Sequence, residues 1–219
     1  MGNSKVLTLF LIVVRYISCY KRNIILWKGE IKIDRLKIFK IELEYIKNPK
    51  IKEFTEKVIL EIIPDYFFKI PPSSTNKYHP PQTHCEGGLV IHTKMAVRIA
   101  IEMFDYMKKP YDDNIKDCII SALILHDTQK NGTNPLNKYT VADHPLVAVN
   151  QIKSRKDICS VLDKETLNII LDGILCHMTK WNTDYRTKKE ILPLPTKAYQ
   201  NYIGLCDYLS SRKCIAINF

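Results

Sequence analysis

Six residues of this chain have side chains that bind divalent metals, and they recur at one kind of place. They are His92, His126, Asp127, His144, His177 and Asp207. Each stands at or near the end of a helix-like segment. The adjacent pair His126 and Asp127 closes a long apolar run that starts at Asp113. Imidazole and carboxylate both suit divalent ions, and both are costly to bury without a partner. Together the six can hold one ion or two, which points to hydrolytic chemistry.

The elements that must carry these residues are mostly helical. Apolar positions recur at helical spacing from Lys52 to Ile63, where Pro64 ends the segment. The turn-rich stretch from Pro71 to Pro81 reads as an irregular loop, and a loop of that length in a compact domain is often functional. A long helix is expected from Glu86 to Lys108, with Leu89, His92, Ala96, Ile99 and Met103 on one face. Asp112 or Asp113 caps the next helix, which ends at His126 and Asp127. A polar loop from Thr128 to Thr140 follows, then a helix over about 142–153. Another helix begins after Asp163 and carries Leu167, Ile170, Ile174 and His177 on one face. After an irregular stretch from Trp181 to Pro195, a last helix over about 196–212 aligns Tyr199, Ile203, Asp207 and Ser210. In four of these helices a metal-binding residue interrupts the apolar face. Apolar faces point into one core, so polar residues on them must meet one another or stay unsatisfied.

At these positions the chain resembles the HD-domain superfamily of metal-dependent phosphohydrolases. The pattern His92, then His126-Asp127, then Asp207 matches its H…HD…D. The segment Gly87 to Thr93 resembles GGL-x-x-HT, Ala122 to Lys130 resembles ALLHD-x-x-K, and Leu205 to Arg212 resembles ADYL-x-SR. The similarity covers roughly residues 60 to 215. It implies an all-α HD-domain bundle over 51–219; residues 1–50 form an N-terminal extension outside the resemblance, whose pattern leaves its structure open, β included.

The resemblance implies that His92, His126, Asp127 and Asp207 ligate a first metal. His144 and His177 match the additional histidines of binuclear members, in which Asp127 would bridge two ions. Mixed imidazole and carboxylate ligands favour Mn or Fe, with Zn, Ni, Co or Mg also used in the superfamily. A metal-bound hydroxide would then cleave a phosphoester of a nucleotide or related substrate. Asp127 and Lys130 are the catalytic candidates, and Lys130 would also contact phosphate. His79 and His84, in the loop before the first motif helix, are candidates for substrate contact. Arg212 would reach a phosphate or cap its helix, and Trp181 with Tyr185 would stack on a base or pack in the core. Two departures stand out: Gln129 replaces the usual Gly before the motif lysine, and the GYP signature of the cyclic-di-GMP-cleaving subgroup is missing.

The bulk properties fit this reading without choosing a substrate. The chain has 219 residues, 46% of them hydrophobic, enough for one domain with a sizeable core. A formal charge of +10 favours anionic partners, whether phosphorylated small molecules, nucleotides or nucleic acid, or else reflects composition bias. Seven cysteines without a C-x-x-C suggest a reducing compartment, and a cytoplasmic location is expected. The apolar run from Val6 to Val14 is too short for a membrane span; a buried element is favoured over an export signal or membrane contact. Residues 22 to 46 alternate apolar and charged and suit a strand or two, or a loosely amphipathic helix. Two other functions stay open: a nuclease on single-stranded RNA or DNA, and a non-catalytic metal- or nucleotide-binding module. Oligomeric state is not readable from the sequence.

Overall fold

The computed structural model describes residues 24–27, 30–107, 111–134 and 137–215. The apolar run from Val6 to Val14, and the expectations attached to it, lie outside them. The chain divides between Ile41 and Glu42 into two compact units. In the first, strands β1 (Ile24–Trp27) and β2 (Glu30–Ile33) pair antiparallel, Ile24 against Ile33 and Trp27 against Glu30. Helix α1 (Arg35–Ile38) follows, its N-terminus capped by the Asp34 carboxylate, which accepts from Lys37 N at 3.1 Å. The described residues of the alternating stretch 22–46 are thus short strands followed by short helices, not one long helix. Helix α2 (Lys40–Glu44) leads into the second unit.

That second unit is all-α, as the periodicity predicts. Its helices are α3 (Pro49–Glu61), α4 (Gly88–Tyr106), α5 (Asp113–Leu125), α6 (His144–Ser154), α7 (Lys156–Cys159), α8 (Lys164–Cys176) and α9 (Ala198–Ser210). Local chemistry sets several starts. Asn48 accepts from Lys50 N and Ile51 N ahead of Pro49; Asp112 accepts from Ile115 N at 2.9 Å, and Asp163 from Thr166 N at 2.9 Å. Helices α4, α6 and α9 each begin two residues later than the pattern suggests, because flanking residues carry bonds of the preceding turns rather than helical ones.

Helix α5 lies at the centre and packs against α3, α4, α8 and α9. Every residue from Asp117 to Leu125 is buried, so a one-sided stripe understates its contacts. Polar bonds fix its register: the buried Asp117 carboxylate accepts from Lys47 N at 3.0 Å and Asn48 N at 2.6 Å, and Thr55 Oγ1 meets Ser121 Oγ at 2.7 Å. The C-terminal ends of α5 and α8 and the N-terminus of α6 converge on one spot between α4 and α9. No helix among the described residues is long and apolar enough to cross a membrane. Among the described residues six cysteines, Cys85, Cys118, Cys159, Cys176, Cys206 and Cys214, are free thiols.

Candidate metal centre

Helix ends place three of the histidines. His126 and His177 are the C-caps of α5 and α8, where the last carbonyls have no helical partner. Each ring takes the carbonyl three residues back: His126 Nδ1 lies 2.7 Å from Leu123 O, and His177 Nδ1 2.7 Å from Ile174 O. His144, first residue of α6, does the same with Val141 O at 2.8 Å. His92 departs from the expected helix-end position: it lies within α4, past its first turn, where carbonyls are already used. Its Nδ1 instead lies 3.0 Å from Ser210 Oγ, whose own hydroxyl hydrogen goes to Asp207 O at 2.7 Å. A carbonyl only accepts, and Ser210 has given its hydrogen away, so all four Nδ1 atoms must donate. Each neutral ring then presents an Nε2 lone pair to the interior.

Those lone pairs face one another. His92 Nε2 and His126 Nε2 are 3.3 Å apart, as are His144 Nε2 and His177 Nε2. Two carboxylates complete the cluster. Asp207 Oδ1 is 3.0 Å from His92 Nε2 and 3.4 Å from His126 Nε2. Asp127 divides its oxygens: Oδ2 lies 3.6 Å from His92 and 3.5 Å from His126, while Oδ1 lies 2.9 Å from His144 and 3.5 Å from His177. Asp127 Oδ1 is buried and has no hydrogen-bond partner. Its short contact to His144 sets two acceptors against each other, which is unfavourable unless a cation lies between. The donor set therefore fits divalent metal. Three overlapping groups satisfy the spacing: His92, His126 and Asp127; His126, His177 and Asp207; and Asp127, His144 and His177.

The electrostatics call for positive charge at the same place. Burial opposes a charge on His126, but the carboxylates of Asp127 and Asp207 more than offset it and lift it to about 10. Burial and the Lys130 ammonium hold His144 down at about 4. Burial also works against ionised Asp127 and Asp207. The Lys130 ammonium and His126 outweigh it at the first, and the close contacts of His126 and His92 at the second, keeping both carboxyls well below the usual carboxylate range. A proton on His126 and a bound metal answer the same demand, and metal binding would release that proton.

The turn after Asp127 brings Lys130 back over the site, with Nζ 2.7 Å from Asp127 Oδ2. Backbone bonds from Thr128 N to Leu125 O, Lys130 N to Asp127 O and Gly132 N to Gln129 O shape this turn. Gln129 does not adopt positive φ, and its buried amide donates to Ile62 O, so the turn has no need of glycine there. Tyr66 OH donates to Gly132 O at 2.9 Å and accepts from Asn131 N, and Asn131 and Asn137 exchange amide bonds at 3.0 Å. Two glycines bring the motif segments close. A Cβ on Gly88 would lie 1.9 Å from Thr83 O, pushing the loop off α4. A Cβ on Gly204 would lie 2.8 Å from His177 O, pushing α9 and Asp207 away from α8.

The remaining candidates divide. His79 is at the site: its ring packs against His92 with centroids 5.4 Å apart, and its buried Nδ1 has no partner. Burial, then the proximity of His92 and Lys130, lowers it to about 3. His84 braces the loop, with Nε2 2.9 Å from His79 O. The Arg212 guanidinium lies between the rings of Tyr78 and Tyr208 and donates to Ser211 Oγ. Trp181 stacks on Tyr208 with centroids 5.4 Å apart. Tyr185 is 83% exposed, with the Lys188 ammonium 4.4 Å from its ring centre. Ser210 escaped the sequence reading as an orienting partner, although its alignment with Asp207 was a usable signal. Among the cluster side chains, Asp207 (19% exposed) and Lys130 (13%) reach solvent, while the four histidines and Asp127 stay at 1% or below.

Comparison with known proteins gives one informative relative. The chain is 32% identical over 122 residues to a Methanocaldococcus jannaschii protein named dihydroneopterin 2',3'-cyclic phosphate phosphodiesterase. The match covers 52% of this chain and 45% of the relative, so the chain spans less than half of that protein's length. No family model matches, and no solved structure matches.

Proposed function

We propose that this protein is a metal-dependent phosphohydrolase of the HD type that cleaves a phosphodiester in a small phosphorylated molecule, a nucleotide or a related compound. One observation carries the reading. Four buried imidazoles turn lone pairs toward two carboxylates, with Asp127 giving one oxygen to each histidine pair. The phosphodiesterase named above, a partial relative, supports the same chemistry.

In this reading His92, His126, Asp127 and Asp207 hold one divalent ion and His144, His177 and Asp127 a second, with Mn or Fe favoured. Such ions would supply Lewis acidity, activating water and neutralising charge on phosphoryl oxygens. The chain's own groups do the rest. Nδ1 bonds to Leu123, Val141, Ile174 and Ser210 lock the imidazoles in place. Asp207 and Lys130 mark where substrate enters. Lys130 places an ammonium beside the reacting phosphate, where it stabilises negative charge as it builds. His79, packed on His92 with its buried Nδ1 unpartnered, offers a hydrogen bond. Asp127, shared by both histidine sets, keeps the two halves in register.

The test is a substrate panel in Mn²⁺: 2',3'-cyclic nucleotides, linear nucleotides and short single-stranded oligonucleotides, each before and after chelation. Turnover of small phosphodiesters, lost on chelation, is expected. Cutting of oligonucleotides alone would shift the assignment to a nuclease. Normal metal uptake with no turnover of any substrate would leave a binding module.

A further inference from the structure

We infer that Trp181 and the ring stack behind it form a ledge that receives a flat heteroaromatic ring attached to the phosphoester. This rests on the hydrolase reading for the position of the phosphate, and on separate observations for the ring.

The stack is ordered. The Arg212 guanidinium lies 5.0 Å from the Tyr78 ring centre and 4.5 Å from that of Tyr208. Tyr208 continues into Trp181, nearly parallel at 17°. The Lys180 ammonium sits 4.9 Å from the Trp181 ring centre. Main-chain bonding ties the assembly down, since Lys213 N donates to Tyr78 O at 3.0 Å. Yet Trp181 is 46% exposed and Tyr78 53%. Large aromatic rings held rigidly and left open to water lose little entropy when a second ring stacks on them.

Position ties the ledge to the site. Tyr208 follows Asp207, the most exposed of the cluster carboxylates; Trp181 is four residues past His177; and Tyr78 precedes His79, which packs on His92. The stack thus adjoins the cluster through neighbouring residues on two segments, and in this inference the ring of a phosphoester bound there lies on the stack. Arg212 within the stack and Lys180 over Trp181 add positive charge to it, which suits an anionic ligand with an electron-rich ring. A ring linked through a sugar or short polyol to phosphate meets both demands. A bare sugar phosphate meets only one.

Calorimetry on the full, Mn²⁺-loaded chain tests this without hydrolysis. The probes are the non-hydrolysable phosphonate analogue of adenosine 5'-monophosphate and its ring-free ribose counterpart. The ring-bearing probe is expected to bind roughly tenfold tighter or better, the scale of one ring stacked on an aromatic side chain. Trp181→Ala should remove that advantage and leave the ring-free probe unchanged, while Trp181→Phe keeps most of it. Equal affinity of the two probes for the parent protein would overturn the ledge, as would equal weakening of both by Trp181→Ala. The hydrolase reading fails separately, on the substrate panel: ring-selective binding without turnover sinks that reading alone, and turnover without ring selectivity sinks the ledge alone.

Discussion

Asp127→Asn is expected to cut phosphodiester turnover by roughly 10³-fold or more, the scale on which loss of a central catalytic group is felt. The substitution keeps the shape of the side chain. It replaces one acceptor oxygen with an N–H₂ group and removes the charge that faces His126, His144 and Lys130. Either orientation of the amide costs one of the histidine pairs its oxygen, because Oδ2 serves His92 and His126 while Oδ1 serves His144 and His177. Asp207→Asn is the informative comparison. Asp207 contacts His92 and His126 but not His144, so that change should spare metal binding by His144 and His177. Steady-state kinetics with circular dichroism as a fold control makes the check. An Asp127→Asn protein that folds and keeps more than a tenth of its turnover would contradict the shared-carboxylate account.

Metal removal is the second large effect. A ligand that binds only the folded chain stabilises it by about 2.7 kcal/mol at a hundredfold excess over Kd. For a domain of this size that corresponds to roughly 5–10 °C in Tm. The effect should be visible because the cluster is buried: a bound cation would relieve acceptor–acceptor contacts such as His144 Nε2 against Asp127 Oδ1 at 2.9 Å. Thermal unfolding after chelation and again after Mn²⁺ addition is expected to show a fall and a recovery of that size, with turnover following both. Unchanged Tm and turnover through the cycle would mean that the cluster is a hydrogen-bonded core.

Much of this was legible in the sequence, for definite reasons. Asp112 and Asp163 are caps with apolar periodicity behind them, so α5 and α8 could be placed closely. The histidines at the ends of those helices could be seen to share one interior. What was not legible depends on geometry that periodicity does not carry. The four-residue helix α7 is too short to show a period. Periodicity also placed Ile99 and Met103 on the buried face of α4, whereas the buried stripe continues through Val97, Ala100 and Phe104. Which oxygen of Asp127 serves which histidines follows from where α6 enters. The packing of His79 on His92 follows from the path of the proline-rich loop. The stack of Tyr78, Arg212, Tyr208 and Trp181 joins three segments far apart in sequence, and nothing in any one of them announces the others.

The central claim is that two histidine sets share Asp127 and each hold an ion. The most direct measurement is metal content after stripping the protein and titrating it with Mn²⁺, read by elemental analysis for the parent chain and for His177→Ala. The account predicts about two ions per chain for the parent and about one for the variant. Uptake of one ion or none by the folded parent chain would contradict it.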